Sequence, residues 1–256
     1  MADKVLGSLK ELKSAVGQLR FDGRAAETLR PVKLTRNYLD HVAGSVLVEF
    51  GKTKVICTAM VDEKVPMWLR GTGKGWLTAE YSMLPASTLT RKDRDISRGK
   101  LDGRSSEIQR LIGRALRNVV DLKALGERTL WIDCDVMQAD GGTRTASITG
   151  AYVALHDACQ DLLNRKLIRN FPLRDSVQAI SVGKVGGKLL VDLCYEEDSQ
   201  AEVDLNVVMT GDGHFIELQG TGESGPFTGD ELAKLIELGR GACRELGDHQ
   251  KKALGK

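Results

Sequence analysis

A β-rich run that ends in two glycines and reopens at once as a helix constrains this chain more than any other feature. Residues 130–136 have strand composition, Gly141-Gly142 follow, and Thr143 and Arg144 begin a stretch of small residues. That stretch predicts a helix from about Arg144 to Asn164. Glycines at such a junction let backbone approach a ligand closely, and the free N–H groups of a helix start attract anions. An arginine there adds a planar fork that matches phosphate oxygens. The pattern reads as a pocket for phosphate or a phosphate ester, set against the plainer reading of an ordinary turn with a chance arginine.

Around this junction the chain divides into strand and helix runs. Residues 45–50 and 53–61 flank Gly51-Lys52 and predict a hairpin, and residues 76–83 a further strand. Residues 84–104 lack periodicity and read as a long loop. Ser105 or Ser106 is placed to cap a helix running to about Val120, with Ile108, Leu111, Ile112, Ala115, Leu116 and Val119 on its buried face. Farther on, residues 177–185 and 188–195 flank Gly186-Gly187, and 203–209 and 214–218 flank Gly211-Asp212-Gly213. Thr228 and Glu231 form a capping box that opens a last helix to about Leu246. Separated strand and helix runs imply an α+β fold with mixed sheets. The two halves follow a similar order, which suggests a duplication visible in topology and not in sequence. No linker divides residues 20–256, so one domain is expected. Residues 1–19 form an extension whose Val5, Leu6, Leu9, Leu12, Val16 and Leu19 recur at helical spacing. Asp3, Glu11 and the lack of arginine before Arg20 argue against a transit peptide.

Composition narrows the function classes. The 256 residues carry a net charge of only +2, so nucleic-acid binding has to come from local clusters. Five scattered cysteines without a C-x-x-C indicate neither a disulfide frame nor a zinc knuckle, and a reducing cytoplasm fits. No apolar run reaches membrane-span length.

Two clusters can carry chemistry. Arg91, Lys92, Arg94, Arg98, Lys100 and Arg104 crowd the 84–104 loop, a pattern able to grip a phosphodiester backbone or simply a solvated loop. Arg20, Arg24, Arg30 and Arg36 form a second basic group, and Arg110, Arg114 and Arg117 a polar helix stripe. Between Asp192 and Asp204 six of thirteen residues are acidic. A turn near Ser199-Gln200 brings Asp198 and Asp204 together, two hard oxygen ligands of the kind Mg²⁺ takes alongside water and substrate phosphate; the alternative is an acidic loop without a metal. Either acid can serve as a proton donor to a leaving oxygen. The glycine-rich 71–75 stretch precedes a strand, not a helix, and so lacks a nucleotide-binding context. The four histidines show no metal-ligand spacing.

Together these pieces resemble the ribonuclease PH family. Arg20-Phe21-Asp22-Gly23-Arg24 with Arg30-Pro31-Val32 is similar to its opening, and residues 44–55 to its first hairpin. Glu107-Ile108-Gln109-Arg110-Leu111-Ile112 resembles its first long helix, and the runs 133–145 and 197–209 resemble its signatures. The likeness extends from about Arg20 to Leu246. It implies duplicated sheet-and-helix halves of the ribosomal protein S5 domain 2-like type, with helices packed between the sheets. It also implies a phosphorolytic 3′→5′ exoribonuclease that trims the 3′ ends of transfer-RNA precursors, in which phosphate attacks the last phosphodiester reversibly and releases a nucleoside 5′-diphosphate. By this resemblance Arg104, Gly142, Thr143 and Arg144 bind phosphate, and Asp198 and Asp204 are catalytic and hold Mg²⁺. Arg91, Arg94 and Arg98 contact RNA, and the assembly is a homo-hexamer built as a trimer of dimers. One departure stands out: the family's Leu-Pro-Arg-Ser-Thr is Leu84-Pro85-Ala86-Ser87-Thr88 here. Two alternatives are a non-catalytic RNA-binding ring subunit of an exosome-like assembly and a polynucleotide phosphorylase-like degrader. The retained arginines and acids argue against the first, and room for only one core argues against the second.

Overall fold

In the computed structural model, residues 20–94, 97, 99–100 and 102–256 are described. The 1–19 extension with its expected helix, and Arg98, lie outside them.

The first sheet is built on β1 (Val32–Arg36), β2 (Gly44–Phe50), β3 (Thr53–Asp62), β4 (Trp76–Met83) and β5 (Thr129–Gln138), in the order β1-β2-β3-β5-β4. Its pairs are antiparallel except β4 with β5, which run parallel. The second sheet, β7-β6-β8-β9, is antiparallel throughout, from β6 (Val177–Val185), β7 (Lys188–Val191), β8 (Val203–Thr210) and β9 (Phe215–Gly222). Three long helices complete the fold: α1 (Gly103–Arg117), α3 (Thr143–Asn164) and α5 (Gly229–Leu254). Two short ones, α2 (Leu122–Leu125) and α4 (Tyr195–Asp198), lie in the connections.

Helix α3 is the hub. It contacts β2, β3 and β5 on one side and β6 on the other, so it runs between the sheets. A helix in that position must be apolar all round, and Ile148, Ala151, Val153, Ala154, Leu155, Ala158 and Leu162 are all buried. Small residues let it approach the first sheet closely: a Cβ on Gly150 would lie 1.9 Å from Val48 Cγ2. One buried cluster runs from Leu29 to Leu246 and draws on both sheets.

Several boundaries moved. Helix α1 begins at Gly103 with Asp102 at its N-cap and no side-chain cap; Ser105 is buried within the helix and does not cap it. The 188–195 strand stops at Val191, because Asp192 turns into the left-handed region at φ 57 and α4 begins three residues later. The capping box of Thr228 and Glu231 is present, and its helix runs eight residues past Leu246 to Leu254.

Substituting Gly150 with alanine tests the close approach. The gain in helix propensity is about 1 kcal/mol, whereas overpacking a tight contact of this kind costs about 1–3 kcal/mol or more. Gly150→Ala is expected to lower the urea midpoint; an unchanged midpoint would show that β2 can retreat from the helix freely.

Candidate active site

Strand β5 delivers the chain to Asp140, and two glycines turn it into α3, Gly141 at φ 74 and Gly142 at φ 63, the latter as N-cap. Both conformations favour glycine, and space enforces the choice at Gly141. A Cβ there would fall 2.4 Å from Leu193 O and 2.9 Å from Tyr195 N, the backbone that leads into α4. The glycine turn and the acidic segment are thus packed directly on each other.

Behind the turn sits a buried charge network. Arg30 donates from Nε (3.0 Å) and Nη2 (2.6 Å) to the two carboxylate oxygens of Asp192, whose Oδ2 also accepts the Arg30 backbone N–H at 2.7 Å. The same guanidinium donates to the carbonyls of Asp140 and Gly141. Thr53 Oγ1 donates to Gly141 O at 2.7 Å and accepts the Asp140 N–H at 3.0 Å. Arg20 pairs with the buried Glu197 through both oxygens and donates to the carbonyls of Val191 and Asp192. Arg24 joins in through Asp22 and Asp192. Arg36 is held by Asp157. The basic group near the start of the chain is therefore structural, and its side chains are spent on internal carboxylates.

In front of the turn the expected site residues come together. Thr143 is buried, its hydroxyl 2.8 Å from Tyr81 Oη. Arg144, in the first turn of α3, and Arg104, in the first turn of α1, both act electrostatically on Asp198 and on Tyr81. Asp198 ends α4 and Asp204 is the second residue of β8. Burial pushes Asp198 above the usual carboxylate range despite the two arginines. Burial and then the charge of Asp198 push Asp204 to about 6, against Arg144 and hydrogen bonds from Ser181 and Asn206. The charge of Asp198 acts on Asp204, and interacting like charges favour keeping one proton. As two hard oxygen donors they suit Mg²⁺, with the remaining positions left to water and substrate. Among the described residues no third acidic, histidine or cysteine side chain joins them as a ligand group.

The described part of the basic loop starts along β5 and reaches α1. Leu84 N donates to Val136 O and Ala139 N to Ser87 O, which lays the start of the loop along the end of β5. Lys92 reaches Asp102 at 3.3 Å, next to α1. Arg91 is exposed and paired with Asp93, and Arg94 is exposed. The helix stripe is not simply solvated. Arg114 grips Glu217 through two 2.7 Å bonds, and Arg117 donates to Leu77 O while lying 4.8 Å over the Trp76 ring.

Sequence reasoning missed Tyr81, Glu107 and Gln219. Gln219 accepts from Arg144 Nη1 at 2.7 Å and donates to Glu107 at 2.9 Å. A pocket of 320 Å³ at β4 and β5 is lined by Glu80, Tyr81, Asp133 and Asp135 with Lys92, Arg94 and Gln109. Burial and then Glu80 raise both aspartates there.

Comparison with known proteins identifies the family. Residues 28–160 match the 3′ exoribonuclease family, domain 1, and residues 175–242 match its domain 2. Among solved structures, a chain of the Archaeoglobus fulgidus exosome with RNA bound to the active site superposes with a TM-score of 0.77 at 23% identity, covering 96% of each chain. Rice (Oryza sativa) Rrp46 gives 0.75 at 20% identity over 92% of this chain and all of its own. An archaeal exosome core chain gives 0.71 at 21% identity, over 99% of this chain and all of its own. These likenesses show the fold. No described helix is long and apolar enough to cross a membrane.

The elevation of Asp204 has a stability consequence. A carboxyl whose folded pKa lies above its unfolded value stabilises the fold below the unfolded value, and that contribution is lost as pH rises through the folded one. The window here runs from 3.8 to about 6. In metal-free buffer Asp204→Asn is expected to raise the melting temperature at pH 7.5, with the gain shrinking as pH falls through 6 toward 4. A gain that persists unchanged at pH 4 would mean that charge is not its source.

Proposed function

The chain belongs to the 3′ exoribonuclease family of ribonuclease PH, and we propose that it is a phosphorolytic 3′→5′ exoribonuclease that trims the 3′ ends of transfer-RNA precursors. The observation that carries this reading is the meeting of two helix starts bearing Arg104 and Arg144 with the Asp198–Asp204 pair across the glycine turn.

Phosphate and RNA are both anions, so bringing them together requires fixed cations. The N–H groups at the start of α3, with Thr143, Arg144 and Arg104, would bind and orient inorganic phosphate. One phosphate oxygen attacks the phosphorus of the last phosphodiester. The bond from that phosphorus to the preceding nucleotide's 3′-oxygen breaks, the 3′-oxygen takes a proton, and a nucleoside 5′-diphosphate leaves. One acid of the Asp198–Asp204 pair would supply that proton. Asp198 and Asp204 would hold Mg²⁺, which when bound offsets the negative charge gathering on the transferring phosphoryl group. Tyr81 fixes the Thr143 hydroxyl from behind. Arg91, Arg94 and Arg98 would hold the RNA backbone entering along the 84–104 loop.

On this reading the enzyme runs in reverse with nucleoside diphosphates. It also acts on other RNA 3′ ends and works as a homo-hexameric trimer of dimers in the cytoplasm, where its five buried free thiols stay reduced. A silent ring subunit is the competing reading. The retention of Arg104, Arg144, Asp198 and Asp204 favours the active enzyme.

Incubating a 3′-tailed transfer RNA with Mg²⁺, with and without phosphate, decides the matter by product chromatography. Nucleoside diphosphates are expected only with phosphate. Monophosphates formed without it would make the enzyme a hydrolase, and bound but intact RNA would make it a silent subunit. Arg144→Ala should cut phosphorolysis by at least about a hundredfold while transfer-RNA binding persists; equal loss of both would make Arg144 a general RNA contact. Ala86 is exposed where relatives carry arginine, so Ala86→Arg should tighten transfer-RNA binding and steepen its salt dependence. Unchanged affinity would remove the loop position from the RNA path.

A further inference from the structure

We propose that Gln219 positions the phosphate-binding arginine and that Glu107 tunes phosphate affinity by competing for it. This inference rests on the reading of Arg144 as the phosphate ligand.

Three residues from three elements form a closed triangle. Arg144 on α3 donates from Nη1 to Gln219 Oε1 on β9 at 2.7 Å. The Gln219 amide nitrogen donates to Glu107 Oε1 on α1 at 2.9 Å. Glu107 Oε2 lies 3.6 Å from the same Arg144 Nη1. A guanidinium offers only donors and a carboxylate only acceptors, so a glutamine amide between them has one orientation that satisfies both. The oxygen must face the arginine and the nitrogen the acid. A carboxylate at position 219 would repel Glu107, and an aliphatic side chain would leave both neighbours unmet.

The backbone that carries Gln219 is itself tethered. Glu217, two residues earlier on the same face of β9, is held by both 2.7 Å bonds from Arg114 on α1. The amide is therefore presented at a fixed height above α1. Among the described residues Nε and Nη2 of Arg144 make no hydrogen bond to protein. With Nη1 committed to Gln219, these two donors are left in the geometry that takes two oxygens of one phosphate.

Glu107 occupies the other side of this balance. Its side chain is 41% exposed against 16% for Arg144, and it borders a 350 Å³ recess walled by Gly103, Ser106, Arg110, Arg114 and Gln219. Its charge attracts the same guanidinium that phosphate needs, from a well-solvated position. Phosphate binding has to work against that attraction, whereas the hydrogen bond from Gln219 to position 107 needs only an acceptor oxygen.

The two residues thus carry predictions of opposite sign. Gln219→Leu is expected to raise KM for phosphate about tenfold, the scale of one hydrogen bond to a charged group, with a smaller change in kcat. Glu107→Gln keeps the acceptor oxygen, removes the charge, and is expected to lower KM for phosphate by roughly two- to fivefold. A merely structural triangle would weaken phosphate in both variants. RNA affinity measured without phosphate should be the same in all three proteins. Gln219→Glu, of equal size, covers the case in which the leucine variant misfolds, and is also expected to raise the phosphate KM by neutralising Arg144. A raised phosphate KM in Glu107→Gln, or an unchanged one in both Gln219 variants, overturns the proposal. If the wild-type protein releases no nucleoside diphosphate, the phosphorolytic reading fails instead. Calorimetric titration of inorganic phosphate onto the same proteins then still reads the triangle.

Discussion

The pairing of Arg30 with Asp192 is the interaction on which the rest of the site depends. Both side chains are nearly inaccessible, at 3% and 1% exposure, and every oxygen of the carboxylate is used. A buried pair of this kind does little for net stability against an apolar substitute, but removing one partner strands a charge at a cost of about 3–5 kcal/mol. What it supplies here is placement. Asp192 is pinned at φ 57 at the end of β7, in the second half of the chain. Arg30 reaches past it to the carbonyls of Asp140 and Gly141, in the first half. Arg20 and Glu197 repeat the device one turn away, at the base of α4. The glycine turn and the acidic helix are thereby set against each other by charge, and the missing Cβ of Gly141 lets them close the remaining distance.

From that arrangement the electrostatics follow. Arg104 and Arg144 come from α1 and α3, while the two aspartates come from α4 and β8. The two arginines and the two aspartates thus come from opposite halves of the chain. Burial in the seam is also what lifts Asp198 and Asp204, since the same closeness that removes water brings the acids within reach of each other. The loop that follows β4 leaves along β5 by backbone bonds to Val136 and from Ala139, so it begins within three residues of Gly142.

Much of this was legible in the sequence, for reasons that can be named. The junction at Gly141-Gly142-Thr143-Arg144 is local, and its helix, its glycine turn and its arginine were all read from adjacent residues; the left-handed conformation of both glycines came from the structure. Hairpins around Gly51-Lys52 and Gly186-Gly187 carry their own turn chemistry, and β4 matched residue for residue. Long-range pairing was not visible. Arg20, Arg24 and Arg30 read as cations in search of an external anion, because their partners lie roughly 160 to 180 residues away. Gln219 drew no notice, since a glutamine in a strand has no local signature. Strand β1 was too short, and too polar in alternation, to stand out from the loop around it. The absent cap on α1 went unseen because two serines offered a better one by composition.

The division of labour among the arginines has an evolutionary consequence. Those that hold the fold together, Arg20 and Arg30, are separate from Arg104 and Arg144, which on the proposed reading bind phosphate, and Asp204 is ionised only against an opposing electrostatic cost. A lineage that loses Arg144 or Asp204 therefore leaves the buried Arg30–Asp192 and Arg20–Glu197 pairs intact, and in the second case sheds an unfavourable charge. Selection for foldedness alone is blind to such losses or favours them. Duplicated copies of a protein built this way can drift into inert scaffolds without passing through an unstable intermediate, while the reverse journey, back to an active pair of acids, runs uphill.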